Sequence, residues 1–195
     1  MNLPILHNTS SKDVNAFINY WEKFYDERYK EDYFEIITKP VWEISDIDRL
    51  FKWKNNMGKK EKKLGKTKRI YVEKVGANLD WVNENRHNIS YPDFVNRFKK
   101  LGPIWSITLL HAMEPLSYPI YDQHVHRAYC FLEGKELEEL KAKDVYTRYQ
   151  NEYLAFFKIF TFDVVKEHEQ MKKVDNALWA FGKYLKQYSA MLVAG

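Results

Sequence analysis

Cysteine is nearly missing from these 195 residues: Cys130 stands alone. One thiol cannot form an intramolecular disulfide, a zinc knuckle or a four-cysteine iron–sulfur cluster, so no metal and no cofactor is expected, and a reducing, cytoplasmic compartment fits. Glycine and proline are also scarce, at 7 and 6 residues. That scarcity disfavours a turn-rich sandwich or barrel and leaves an all-α fold. No stretch approaches the ~18 uninterrupted apolar residues of a membrane span, and Met1-Asn2-Leu3-Pro4-Ile5 lacks the basic n-region and long apolar h-region of a secretory signal. The expectation is a soluble chain with no membrane partner. Oligomeric state is not written in any of these features.

Core material, by contrast, is plentiful: 45% of residues are hydrophobic and 16% aromatic, beside 30% charged. A single globular helical unit spanning residues 1–195 is expected, with no internal repeat and no low-complexity linker. The net charge of +4 is unevenly spread. Ten basic residues against Glu61 and Glu73 give the segment from Lys52 to Lys74 a charge of +8, leaving −4 for the remainder. Residues 57–69 hold Gly58, Gly65 and most of the lysines without a periodic apolar pattern, and read as an exposed lysine-rich loop. Such a loop is either a solvated face or a phosphate-contacting one, since each lysine that neutralises a phosphate releases a condensed counterion.

Helical periodicity organises the rest. Val14, Phe17, Ile18, Trp21, Phe24 and Tyr25 recur at spacings of three and four after Ser10 or Ser11. Ser45 with Asp48 resembles a capping box ahead of Ile47, Leu50 and Phe51. Ser90, Pro92 and Asp93 mark another start, with Phe94, Phe98 and Leu101 facing inward, and Gly102-Pro103 breaks that helix. Ile104 to Met113 is apolar nearly all round and reads as a central buried helix, with His111 a hydrogen-bonded core histidine. Asp122 opens the next helix, and Gly134 stops it. Two aromatic helices follow, one from Tyr146 to Phe160 and one carrying Leu178, Trp179, Phe181, Tyr184 and Leu185.

The segment of about 90–132 carries the chemistry. It runs Leu101-Gly102-Pro103-Ile104-Trp105-Ser106, a buried helix, and then Tyr121-Asp122-Gln123-His124-Val125-His126-Arg127. A helix, a tight glycine turn, a buried helix and an acidic residue at a helix start resemble the helix-hairpin-helix DNA glycosylase superfamily. In that family a Leu-Pro-Gly-x-Gly hairpin grips the DNA backbone, and a carboxylate follows in an Asp-x-His-Val-x-Arg context, which Asp122, His124, Val125 and Arg127 match. Asp175 to Gly182 resembles a closing helix. The resemblance implies a two-lobed fold, DNA as partner, Asp122 as catalytic carboxylate, and DNA contacts at Gly102 and Arg127. Auxiliary phosphate contacts would come from Lys59, Lys60, Lys62, Lys63, Lys66, Lys68 and Arg69. Ile104 stands where the second hairpin glycine belongs. No lysine occurs between Leu101 and Gly134, so the lyase branch, which uses a hairpin lysine as nucleophile, is disfavoured and a monofunctional enzyme expected.

The chemistry asks for such a residue independently. Breaking an N-glycosidic bond develops oxocarbenium character at the sugar, which a nearby ionised carboxylate stabilises. A helix N-terminus keeps that carboxylate ionised, although an Asp that merely caps its helix shares the same position. Asp122, His124 and His126 alternate by two, a poor arrangement for one metal ion on a helix, where i and i+4 share a face. Trp105 and Tyr121 are the candidates for stacking on an extruded base, with core packing as the competing role. A non-catalytic nucleic-acid-binding or interaction protein that keeps the fold is the alternative function.

Overall fold

The computed structural model describes residues 11–25, 30–55 and 61–193, and among them it is all-helical, with no strand. The chain divides into two compact units. One comprises residues 1–26 and 116–195, the other residues 27–115. No helix among the described residues is long and apolar enough to cross a membrane.

The inserted unit holds α2 (Lys30–Thr38), α3 (Ile44–Asn55), α4 (Glu61–Gly76), α5 (Leu79–Asn85), α6 (Tyr91–Phe98) and α7 (Pro103–Met113). Its centre is α7, buried from Ser106 through Met113. A helix with so much polar-free surface can be buried only if its few polar groups are answered from within. The Ser106 hydroxyl donates to Phe98 O at 2.8 Å, the Thr108 hydroxyl to Ile104 O at 2.9 Å, and His111 Nε2 pairs with the Tyr33 hydroxyl at 2.8 Å. Tyr33 lies on α2, which the sequence reading did not single out although Tyr33, Ile36 and Ile37 are buried at helical spacing.

Two local expectations are corrected here. The cap of α3 lies two residues earlier than Ser45: Asp46, fully buried, accepts the Glu43 N–H at 2.9 Å and the Lys39 ammonium at 2.8 Å. The lysine-rich stretch is not a loop from Glu61 onward but the first half of α4. Lysine and glutamate are good helix formers, and the buried Tyr71 and Val75 anchor the helix on its apolar side, which outweighs the cost of about 1 kcal/mol for Gly65 in a helix interior.

The other unit holds α1 (Ser11–Trp21), a 3₁₀ turn (Glu22–Phe24), α8 (Gln123–Leu132), α9 (Val145–Arg148), a π-helical turn (Tyr149–Tyr153), α10 (Leu154–Phe160) and α11 (His168–Val193). Phe17 of α1 meets Phe181 of α11 and Phe160 of α10 edge to face, with centroids 5.2 and 6.0 Å apart. Such aromatic pairs add about 0.5–1.5 kcal/mol each beyond burial. Helices α8 and α11 pack at very short range through Gly182, where an added Cβ would lie 1.8 Å from His124 O. Glycine alone permits that approach.

Candidate functional site

The residues that the sequence marks as a site fall into both units. In the unit containing α8, Asp122 is the N-cap. Its backbone is extended (φ −136°, ψ −175°), and its Oδ1 accepts the N–H groups of His124 at 2.9 Å and Val125 at 3.2 Å. The carboxylate thereby answers two of the donors that a helix start leaves open, and those donors favour its anionic form. Asp122 is half-buried, whereas Val125, Ala128 and Tyr129 behind it are buried in the core.

The segment before Asp122 is held by three tyrosines. Tyr149 donates from its hydroxyl to Pro119 O at 2.9 Å. The Tyr121 hydroxyl pairs with His126 Nδ1 at 2.7 Å, and the Tyr121 ring stacks on Tyr153 with centroids 4.6 Å apart. Burial pushes the His126 pKa down to about 4, with Arg148 adding to the effect, so the imidazole is neutral at pH 7. Burial pushes the Tyr121 phenol upward. Tyr121 is therefore a fully buried packing ring that pins the turn into α8. As a stacking face for a base it would first have to shed Tyr153 and His126.

Arg127, expected at DNA, is turned inward. It is buried, its Nη2 donates to Glu139 Oε1 at 2.7 Å, and its Nη1 lies 3.3 Å from His124 Nδ1. A carboxylate from the loop after α8 takes the role assigned to phosphate, because a buried guanidinium must be paired. That bond holds the Glu139 carboxyl below its usual range. His124 packs edge-on against Trp179 at 4.8 Å, and burial lowers its pKa although Asp122 pulls the other way.

The sequence reading passed over a polar stripe on α11. Lys172, Asp175 and Asn176 are buried on one face, with the half-buried Trp179 one turn on. The Lys172 ammonium donates to Asn176 Oδ1 and lies 4.4 Å from the centre of the Tyr25 ring. A stripe of this kind leaves no signal in a pattern search, because charged residues at helical spacing ordinarily mark a solvated face. Gly182 was legible in principle, as a glycine inside an otherwise strong helix.

In the inserted unit, Gly102 sits between the 3₁₀ turn Lys99–Leu101 and α7 with φ 90° and ψ 144°. A positive φ is what demands glycine there. Lys74 Nζ donates to Lys100 O at 2.8 Å, tying α4 to the turn. Trp105 is half-buried, stacked on Phe51 at 4.5 Å and tilted against Tyr71 at 5.8 Å, so its ring serves the core of its own unit. Among the basic residues, Lys66 and Arg69 are exposed on α4, while Lys68 is ion-paired to Asp48 at 2.6 Å. Lys62 and Lys63 lie on α4 with side chains outside the described part, and Lys59 and Lys60 lie outside the described residues. Among the described residues, no group of three or more His, Cys, Asp or Glu is arranged to hold a metal ion.

Comparison with family models, with curated proteins and with solved structures finds no match to this chain.

Proposed function

We propose that the protein is a helix-hairpin-helix glycosylase-like enzyme that breaks the N-glycosidic bond of a modified base in DNA, with Asp122 as its carboxylate. The observation that carries this reading is Asp122 itself: a half-buried carboxylate at a helix start, tied to two backbone N–H groups and followed by His124 and Val125 as in the family motif. Support also comes from the Gly102 turn between two helices, with its positive φ.

In the proposed reaction the C–N bond breaks with its electron pair leaving on the base. Positive charge then develops at the anomeric carbon. An anion a few ångströms away stabilises that charge and orients the water whose oxygen forms the new bond, and the water's proton passes by way of the carboxylate to solvent. A single carboxylate suffices because the backbone donors keep it ionised without a second charge. His124 and Arg127 serve the carboxylate indirectly by fixing the first turn of α8.

Asp122→Asn tests the assignment. Asparagine caps a helix about as well as aspartate, so folding should change little, while base excision should be lost because the charge is gone. The measurement is incubation with duplexes carrying alkylated, oxidised or deaminated bases, followed by alkali to cut abasic sites. Undiminished turnover by Asp122→Asn would sink the reading. The alternative, a non-catalytic nucleic-acid-binding protein, draws on the inward-turned Arg127, the buried Tyr121 and Ile104 in place of the second hairpin glycine. Wild-type protein that binds duplex yet excises none of those bases would favour it.

A further inference from the structure

Helix α10 reads Leu-Ala-Phe-Phe-Lys-Ile-Phe, with one polar residue in seven. A helix that is apolar all round is ordinarily covered all round. Here one side is covered: Phe156, Phe157 and Phe160 are buried, while Ile159 is 74% exposed. Phe162, in the turn that follows, is 77% exposed, and these two are the most exposed large apolar side chains among the described residues. Apolar side chains exposed singly are normal, whereas a contiguous exposed cluster marks an interaction surface.

The turn that presents Phe162 is fixed. The Thr161 hydroxyl donates to Phe157 O at 2.7 Å, and the N–H groups of Val164 and Val165 both reach Thr161 O, at 2.9 and 3.1 Å. A side chain held in place beforehand loses little freedom on binding, which favours association. Lys158 and Phe162, four residues apart, line two grooves at once and so form a ridge between them. One groove, of about 340 Å³, has Val14, Ile159, Asp163 and Val164 in its walls; the other, of about 450 Å³, has Leu116, Leu154 and Val165. Lys158 and Asp163 are exposed, and among the described residues neither forms an ion pair.

We propose that this face binds a second copy of the chain about a two-fold axis, with the ridge of each copy lying in the smaller groove of the other. A ridge beside a groove is self-complementary in shape, and a two-fold axis makes every contact occur twice. The same operation brings Lys158 on the ridge of one copy to Asp163 in the groove wall of the other, so two charges left unpaired within one chain are matched between two. Phe162 then fills the groove against Val14, Ile159 and Val164. The apolar contribution is a few side chains per copy, so the interface belongs to the small, transient class below ~1,200 Å² in total, and the dimer is a weak, reversible one. This assignment is independent of the reading of Asp122.

Sedimentation velocity of the full chain between about 5 and 500 µM tests it. A concentration-dependent passage from monomer to dimer is expected. Phe162→Ser changes a solvent-facing side chain, so it should fold as the wild type does, and it should raise the dissociation constant about tenfold or more because each dimer loses the contact twice. Lys158→Glu should also weaken the dimer by setting two carboxylates opposite one another, and Asp163→Lys should do so with two ammonium groups. Combining Lys158→Glu with Asp163→Lys exchanges the charges and should restore the dimer. An effect of net charge alone would instead move the two single variants in opposite directions. A chain that stays monomeric throughout overturns the proposal and leaves the face to a partner of another kind. A dimer that Phe162→Ser or the single charge variants leave intact, or that the combined variant does not restore, overturns it as well.

Discussion

Replacing Gly182 with alanine should break the contact on which Asp122 is mounted. The new Cβ would lie 1.8 Å from His124 O, 2.6 Å from its carbonyl carbon and 3.2 Å from its Cα. All three are backbone atoms of α8, so no rotamer change relieves the overlap. Restoring ordinary contact requires the two helices to part by about 1.5 Å, and a gap of even ~1 Å forfeits up to about half of the dispersion well along the seam. Overpacking of this kind typically costs about 1–3 kcal/mol, and more against a rigid backbone. Alanine returns about 1 kcal/mol of helix propensity. A net loss of about 1–2 kcal/mol is expected, read as a lower urea midpoint by circular dichroism at an unchanged slope. Gly65→Ala is the internal control: Gly65 lies on α4 with nothing within 4 Å of an added Cβ, so the same substitution there should stabilise by about 0.5–1 kcal/mol. A Gly182→Ala protein as stable as the wild type would refute the geometry of the α8–α11 contact. Because the His124 N–H is one of the two donors to Asp122, the same variant should also weaken any base excision.

Three further outcomes are expected. His126 titrates near pH 4 when folded and near 6.5 when unfolded, so the unfolded chain binds the extra proton first as pH falls. Its contribution is whole above pH 6.5 and is lost at up to about 1.4 kcal/mol per pH unit between 6.5 and 4; a His126 ring-proton midpoint near 6.5 in the folded protein would disprove the assignment. Neutralising Lys59, Lys60, Lys62 and Lys63 together should flatten the slope of log affinity for duplex DNA against log salt by up to ~3–4 units if all four contact phosphates, whereas an unchanged slope would show a merely solvated stretch. Borohydride added during turnover should trap no protein–DNA adduct, because the hairpin region from Leu101 to Gly134 has no amine to form an imine; a trapped adduct would overturn the monofunctional reading and direct attention to Lys99 and Lys100, just before the hairpin turn.

What the sequence determined by itself is what depends on local pattern. The all-round apolar run Ile104–Met113 could be nothing but a buried helix, and Pro103 and Glu114 bound it within a residue of its observed ends. Asp122 as a helix cap followed from residue type and position, since the cap bond reaches only two and three residues ahead. Gly102 followed from the break before a proline. The lysine-rich stretch misled because its polar, glycine-containing pattern suits an exposed loop, while the pull that makes it helical comes from Tyr71 and Val75 in the last turns of α4.

Everything that decided the roles of the side chains was tertiary. Arg127 and Glu139 lie far enough apart that no helical spacing links them, and only the return of the loop after α8 brings the carboxylate to the guanidinium. Lys172, Asp175 and Asn176 look like a solvated face until the packing of α11 buries them. Tyr153 reads as one aromatic among many until the π-helical turn carries it to Tyr121 with its hydroxyl unspent. Burial and partnership are properties of the folded chain, because they depend on which distant atoms exclude water from a group, and residue spacing along one helix holds no record of them.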